Sequence, residues 1–184
     1  MVRLVGISGS LRQQSFNTAL LRGAAALVPE GTTLEVRTLH GIPLYNADDE
    51  AATGLPATVV ALKEAVAAAD GVLLVTPEYN NSIPGVFKNA MDWLSRPGTD
   101  RTYPFVGRRV ALLGASPGGF GTTLSQVAWL PVLRNMGTNV WTGAKLLVPR
   151  AAAAFDEHGT ITDDRIKEEL RAFLEKFAAF AAGR

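Results

Sequence analysis

The chain has 184 residues and not one cysteine. Disulfides, thiolate metal sites and a redox-active thiol pair are therefore excluded, and any electron transfer must be carried by a bound cofactor. Histidine is nearly as scarce. His40 and His158 are the only two, and neither has a partner at metal-ligand spacing, so no metal centre is indicated. An excess of charge is missing too: 18 Lys and Arg stand against 17 Asp and Glu. A formal charge of +1 at pH 7 creates no field that would draw the protein to nucleic acid or an anionic membrane. No stretch approaches the ~20 apolar residues of a membrane span. The short run after Arg3 ends at Gly9-Ser10 without the pattern of a signal peptide, so a cytoplasmic protein is expected. What remains, 47% hydrophobic and 19% charged residues, is ordinary for one globular domain, expected to span residues 1–184.

Apolar runs at 4–7, 34–39, 72–75, 110–113 and 140–148 alternate with helix-like segments, an α/β pattern with five strands. Val72 to Val75 is continuously apolar and suits a strand buried on both faces. Leu34-Glu35-Val36-Arg37-Thr38-Leu39 alternates instead and suits an edge. A doubly wound parallel sheet of order 2-1-3-4-5, the flavodoxin-like order with helices on both faces, satisfies both and sets the first and third strands side by side at the switch point. Ile83, Val86, Phe87, Ala90, Met91 and Leu94 recur at helical spacing around Pro84. A closing helix from about Thr162 has Asp163 and Asp164 in its first turn and an Ile166, Leu170, Phe173, Leu174, Phe177 stripe that reads as core.

The loops after the first and third strands carry the polar chemistry. Ligands on open parallel sheets sit outside the carboxyl ends of the strands, so these loops are expected to converge on one. Gly6-Ile-Ser-Gly-Ser-Leu-Arg12, continuing through Ser15 to Asn17, suits a phosphate. Glycines admit the anion to the backbone, hydroxyls and N–H groups donate, a following helix adds its positive end, and Arg12 adds a full charge. Neither Gly-x-Gly-x-x-Gly nor Gly-Lys-Ser/Thr is present here, which argues against a dinucleotide-binding Rossmann domain or a triphosphate loop. The third strand runs into Pro77-Glu78-Tyr79-Asn80, which would then face the ligand.

Gly9-Ser10-Leu11-Arg12 with Ser15 and Asn17, followed by Pro77-Glu78-Tyr79-Asn80-x-Ser82-x-Pro84-Gly85-x-x-Lys88-Asn89-x-x-Asp92-Trp93, resembles the NAD(P)H-dependent FMN reductase family, and most of all its bacterial quinone and chromate reductase branch. Ile42 to Asp48 and Ser95-Arg96-Pro97 extend the resemblance over almost the whole chain. It departs at Asn81, where relatives often carry an aromatic residue, and in the loosely matching third loop, Ser116 to Gly121. The resemblance implies a noncovalent FMN, with Ser10, Leu11, Arg12, Ser15, Phe16 and Asn17 around its phosphate. Pro77, Glu78, Tyr79, Asn80, Ser82, Ser116, Gly118 and Gly119 would lie around its ring. It implies hydride transfer from NADH or NADPH to flavin N5, then two electrons to a quinone or similar acceptor such as chromate, an azo dye or a ferric complex. No side chain is then catalytic, since the chemistry belongs to the cofactor. Glu78 positions through its backbone, and a homodimer or homotetramer is expected. Arg96 and Arg101 are candidate contacts for an anionic substrate or the nicotinamide cofactor, and Trp93 for core packing or a subunit contact.

Two other functions compete. Gly114-Ala115-Ser116-Pro117-Gly118 is a literal Gly-x-Ser-x-Gly after a strand, the spacing of a hydrolase nucleophile elbow. In that elbow the residue after the serine donates its N–H to the oxyanion, and Pro117 has none. The sole downstream histidine, His158, lies two residues from Asp156 in a turn-like segment, which suits no triad. The other competitor is a flavodoxin-like electron carrier. Such carriers are typically acidic, and this chain is not.

Overall fold

The computed structural model describes residues 1–96 and 103–183. In chain order the elements are β1 (Val2–Ser8), α1 (Phe16–Leu27), β2 (Thr32–Arg37), α2 (Ala47–Thr53), α3 (Ala57–Ala68), β3 (Gly71–Val75), α4 (Gly85–Leu94), β4 (Arg109–Ala115), α5 (Thr123–Asn135), β5 (Asn139–Val140), β6 (Leu146–Val148) and α6 (Asp164–Ala181). All the strand pairings are parallel. The sheet runs β2-β1-β3-β4-β5, with β6 also paired to β4.

The order 2-1-3-4-5 is as expected from the burial pattern. β3 is buried at every position, whereas β2 alternates between half-buried and exposed residues as an edge strand does. The strands sort their side chains between two apolar layers. Leu4, Leu73, Val75, Ala111 and Leu113 face α1 and α6, meeting Leu20, Leu21, Leu170, Phe173 and Phe177. Val5, Ile7, Val72, Leu74 and Val110 point the other way, against Phe87, Met91, Trp93, Trp129 and Leu133 of α4 and α5. Phe87 and Trp129 are fully buried and pack edge to face with centroids 4.9 Å apart. Each such side chain contributes roughly 1.5–3 kcal/mol by leaving water.

One expectation changes in detail. The last apolar run, 140–148, is two short strands rather than one: β5 pairs with Arg109 and Val110 of β4, and β6 with Leu113 to Ala115. Between them Trp141 sits against the rings of Phe173 and Phe177 on α6, 5.0 and 5.5 Å away, and the chain leaves the ladder there. The closing helix starts at Asp164, and Asp163 is its cap, accepting from the N–H groups of Arg165 and Ile166. Among the described residues no single helix is long and apolar enough to cross a membrane.

Candidate functional site

Three loops leave the carboxyl ends of neighbouring strands: residues 9–15 after β1, 76–84 after β3 and 116–122 after β4. β1 and β3 are adjacent in the sheet, so the first two loops meet at its switch point. Their approach depends on a missing side chain. A Cβ on Gly9 would lie 2.2 Å from Phe87 Cδ1 and 2.9 Å from Pro77 Cδ, and the Gly9 N–H donates to the Val75 carbonyl at 2.9 Å.

The first loop ends on a capped helix. Ser15 is the N-cap of α1 and its hydroxyl accepts the Thr18 N–H at 3.3 Å. Ser10 is buried and accepts the Arg12 N–H at 3.3 Å. Arg12 is exposed, and its guanidinium lies 5.1 Å from the Phe16 ring centroid; among the described residues it has no carboxylate partner. Phe16 in turn stacks on Phe155. The Leu11 carbonyl faces His40 Nε2 at 3.1 Å, so His40 braces this loop. A cleft of about 350 Å³ opens beside the loop, with Arg12, Ser15 and Phe16 on one wall and Phe155 to Gly159 on the other.

Asn17 belongs to this set in sequence but does different work. Its amide donates from Nδ2 to the Ala115 carbonyl at 2.8 Å and accepts the Ala115 N–H at Oδ1 at 2.9 Å. Both groups are buried. The residue clamps the start of α1 to the end of β4, and so the first loop to the third. The spacing alone marked a polar residue in a phosphate loop and contained no sign of this partner 98 positions away.

The second loop is a tight turn. Asn80 and Asn81 have φ of 49° and 60°, and Tyr79 and Ser82 exchange backbone hydrogen bonds at 3.2 and 3.0 Å. Consecutive left-handed residues are what a two-residue hairpin of the I′ kind requires, and Asn tolerates that region best after Gly. Asn81 thereby has a conformational reason to be there. Tyr79 is 50% exposed, with Asn80 and Ser82 also open to solvent. Pro77 is buried. The Glu78 side chain is engaged, accepting the N–H groups of Leu124 and Ser125 at 2.8 and 3.0 Å.

In the third loop the Ser116 hydroxyl donates to the Gly121 carbonyl at 2.6 Å and is largely buried. No histidine is bonded to it among the described residues, and His158 is exposed beside Glu157. Gly114 is a packing residue, since a Cβ there would lie 2.2 Å from the Thr76 carbonyl oxygen. The elbow reading therefore loses its base as well as its oxyanion donor. At Gly118 and Gly119 the protein makes no such demand: a Cβ on Gly118 meets nothing closer than 3.9 Å, and one on Gly119 nothing within 4 Å. Space at these two positions is open to a ligand.

Arg96 lies elsewhere. α4 runs back along the sheet for 10 residues, about 15 Å at 1.5 Å per residue, and Arg96 follows its C-terminal end. There its Nε donates to Glu50 Oε2 at 2.7 Å, and Tyr45 donates its hydroxyl to the same oxygen at 2.9 Å. The Arg96 hydrogen bond, helped by Tyr45, holds the Glu50 carboxyl below its ordinary range, against a smaller opposing effect of burial. Arg96, the candidate substrate contact, is thus engaged in an ion pair with Glu50. Arg101, its companion, lies outside the described residues. Trp93 is core: it is 1% exposed and donates to the Pro43 carbonyl at 2.9 Å.

The donor set fits a flavin mononucleotide. A guanidinium without a carboxylate partner among the described residues, a buried serine and a helix N-terminus suit a dianionic phosphate, while a half-exposed tyrosine and two glycines with open Cβ directions are free to border a planar ring. The sequence profile described as NADPH-dependent FMN reductase matches residues 2–153. An NAD(P)H-dependent FMN reductase of Pseudomonas aeruginosa is 41% identical over 174 residues, covering 95% of this chain and 92% of that one. A 2-hydroxy-1,4-benzoquinone reductase of a Burkholderia species is 33% identical over 183 residues, covering 100% and 98%. The solved structure of FerB, a flavoenzyme NAD(P)H:(acceptor) oxidoreductase of Paracoccus denitrificans, superposes with a TM-score of 0.85 at 32% identity, covering 100% of this chain and 98% of that one. From profile, relatives and fold together, the chain belongs to the NADPH-dependent FMN reductase family.

Proposed function

We propose that the protein is an FMN-dependent NAD(P)H oxidoreductase that delivers two electrons to quinones or to similar small acceptors. The observation that carries this is the convergence at the β1/β3 switch point of two loops of complementary chemistry, one cationic and rich in donors, the other presenting Tyr79. Bound FMN supplies the redox chemistry, accepting electrons from NAD(P)H and passing them on. The chain's own residues supply binding and orientation. Arg12, Ser10 and the first turn of α1 would neutralise and hold the phosphate. Ser15 is engaged as the cap of α1, and Leu11 and Phe16 form the apolar border of that loop. The turn from Pro77 to Ser82, with Ser116, Gly118 and Gly119 opposite, would seat the ring and leave one face accessible to donor and acceptor in succession.

Self-association is part of the proposal. Leu124, Val127 and Leu130 recur along α5 at 47%, 57% and 44% exposure, an apolar face left uncovered by the described residues. A homodimer or homotetramer would bury it. The purified protein is expected to show flavin absorbance or to acquire it with added FMN, to be bleached anaerobically by NADH or NADPH, and to recover its absorbance on addition of a benzoquinone. No flavin and no FMN binding would overturn the function. Binding without reduction by either nucleotide would favour an electron carrier.

A further inference from the structure

We propose that Glu78 is a positioning residue for the ring turn, acting by capping a helix that lies far away in sequence. The inference rests on the assignment of residues 77–82 to the flavin ring.

The first N–H groups of an α-helix have no partner within it, and the N-cap side chain normally accepts those of the second and third helical residues. In α5 these are Leu124 and Ser125. The N-cap is Thr122, and its side chain makes no capping bond; its hydroxyl instead accepts from Gln126 Nε2 at 3.1 Å. Both orphan donors go to one oxygen of Glu78, 46 and 47 residues earlier. A carboxylate is the best occupant of that position, because the helix dipole adds to two charge-assisted hydrogen bonds.

A second tie lies two residues back. The Thr76 hydroxyl is buried within 2.9 Å of the Ser125 hydroxyl, and Trp129 Nε1 donates to it at 3.1 Å. Thr76 and Glu78 therefore grip the first turns of α5 from either side of Pro77, whose φ is fixed. The hydrogen-bonded turn begins at the next residue, Tyr79. Its base is held by α5, so the direction in which Tyr79 and Asn80 project is set by whether Glu78 is seated. Coupling is reciprocal: a ligand that fixes the turn must also protect the α5 N-terminus.

The test uses the full-length protein with FMN as the probe, in wild type, Glu78→Ala and Glu78→Gln. Glu78→Ala should raise the FMN dissociation constant on the order of tenfold and alter the visible band shift that accompanies binding. Glu78→Gln, which keeps one acceptor, should restore most of both. Amide exchange at Leu124 and Ser125 should slow in wild type when FMN is added and lose that response in Glu78→Ala. Circular dichroism and thermal unfolding identify a variant that has not folded, in which case Glu78→Gln alone carries the comparison. If wild type binds FMN and Glu78→Ala binds it with the same affinity and spectrum while both amides exchange faster, the carboxylate is only a helix cap and the inference is wrong. If wild type itself does not bind FMN, it is the ring assignment that fails.

Discussion

Replacing Asn17 with alanine separates a structural clamp from a ligand contact. Asn17 is 4% exposed and its partner Ala115 2%, and the substitution strands the N–H and the carbonyl of Ala115 where water does not reach. Losing a neutral buried hydrogen bond costs about 1 kcal/mol, and more when the remaining group stays unsatisfied. Two such losses sum to about 2–4 kcal/mol. For a chain of this length each kcal/mol moves Tm by about 2–4 °C, giving a fall of roughly 4–16 °C. The measurement that matters is made on flavin-free protein, by urea unfolding with an unchanged slope. Asn17→Asp sharpens the test. It keeps an acceptor for the Ala115 N–H but turns a carboxylate oxygen toward the Ala115 carbonyl, so its deficit should shrink as the pH falls and that carboxyl takes up a proton. FMN affinity should fall in Asn17→Ala as well, because the first and third loops are no longer tied together. Were flavin-free Asn17→Ala as stable as wild type, with stability lost only in the FMN-bound form, Asn17 would be a phosphate ligand and the clamp argument would be refuted.

Arg12→Ala should do the reverse of Asn17→Ala, leaving flavin-free stability nearly intact while removing a charged phosphate contact of about 1.5–3 kcal/mol. A rise in FMN dissociation constant of at least about tenfold follows by flavin-fluorescence titration, and an unchanged constant would make Arg12 a surface residue. Ser116→Ala loses a hydrogen bond to Gly121 but no nucleophile, so it should retain a substantial share of NAD(P)H-driven quinone reduction; nitrophenyl-ester turnover present in wild type and abolished in this variant would restore the hydrolase. The Glu50 carboxyl is held below its ordinary 4.5 chiefly by the Arg96 hydrogen bond. Because the folded value is the lower one, the stabilisation is complete above 4.5 and drains away as the pH falls toward the folded value. Glu50→Gln should therefore be less stable than wild type at neutral pH and lose less on acidification, as read from urea midpoints against pH, and parallel profiles would contradict this.

Much of the fold is legible from short-range physics. A continuous apolar run such as Val72 to Val75 can be satisfied only by a strand covered on both faces, and the alternation at β2 only by an edge. Those two facts are met by the order 2-1-3-4-5, and that order brings the Arg12 and Tyr79 loops together. The stripes of α4 and α6 and the capping of α6 by Asp163 are likewise local. Three things were not local. The break between β5 and β6 reflects the packing of Trp141 on α6 rings more than 30 residues later. The ion pair that occupies Arg96 forms with Glu50, and nothing in the Ser95-Arg96-Pro97 motif distinguishes an arginine facing a substrate from one facing a carboxylate. The roles of Asn17 and Glu78 depend on Ala115 and on the start of α5, reached across the sheet. Sequence thus determined which residue types gather at the carboxyl edge, because periodicity and burial are properties of the chain nearby. Tertiary structure alone decided which of those side chains are consumed in holding the loops and which remain open to a ligand, because each polar group binds whichever partner the folded chain brings within about 3 Å.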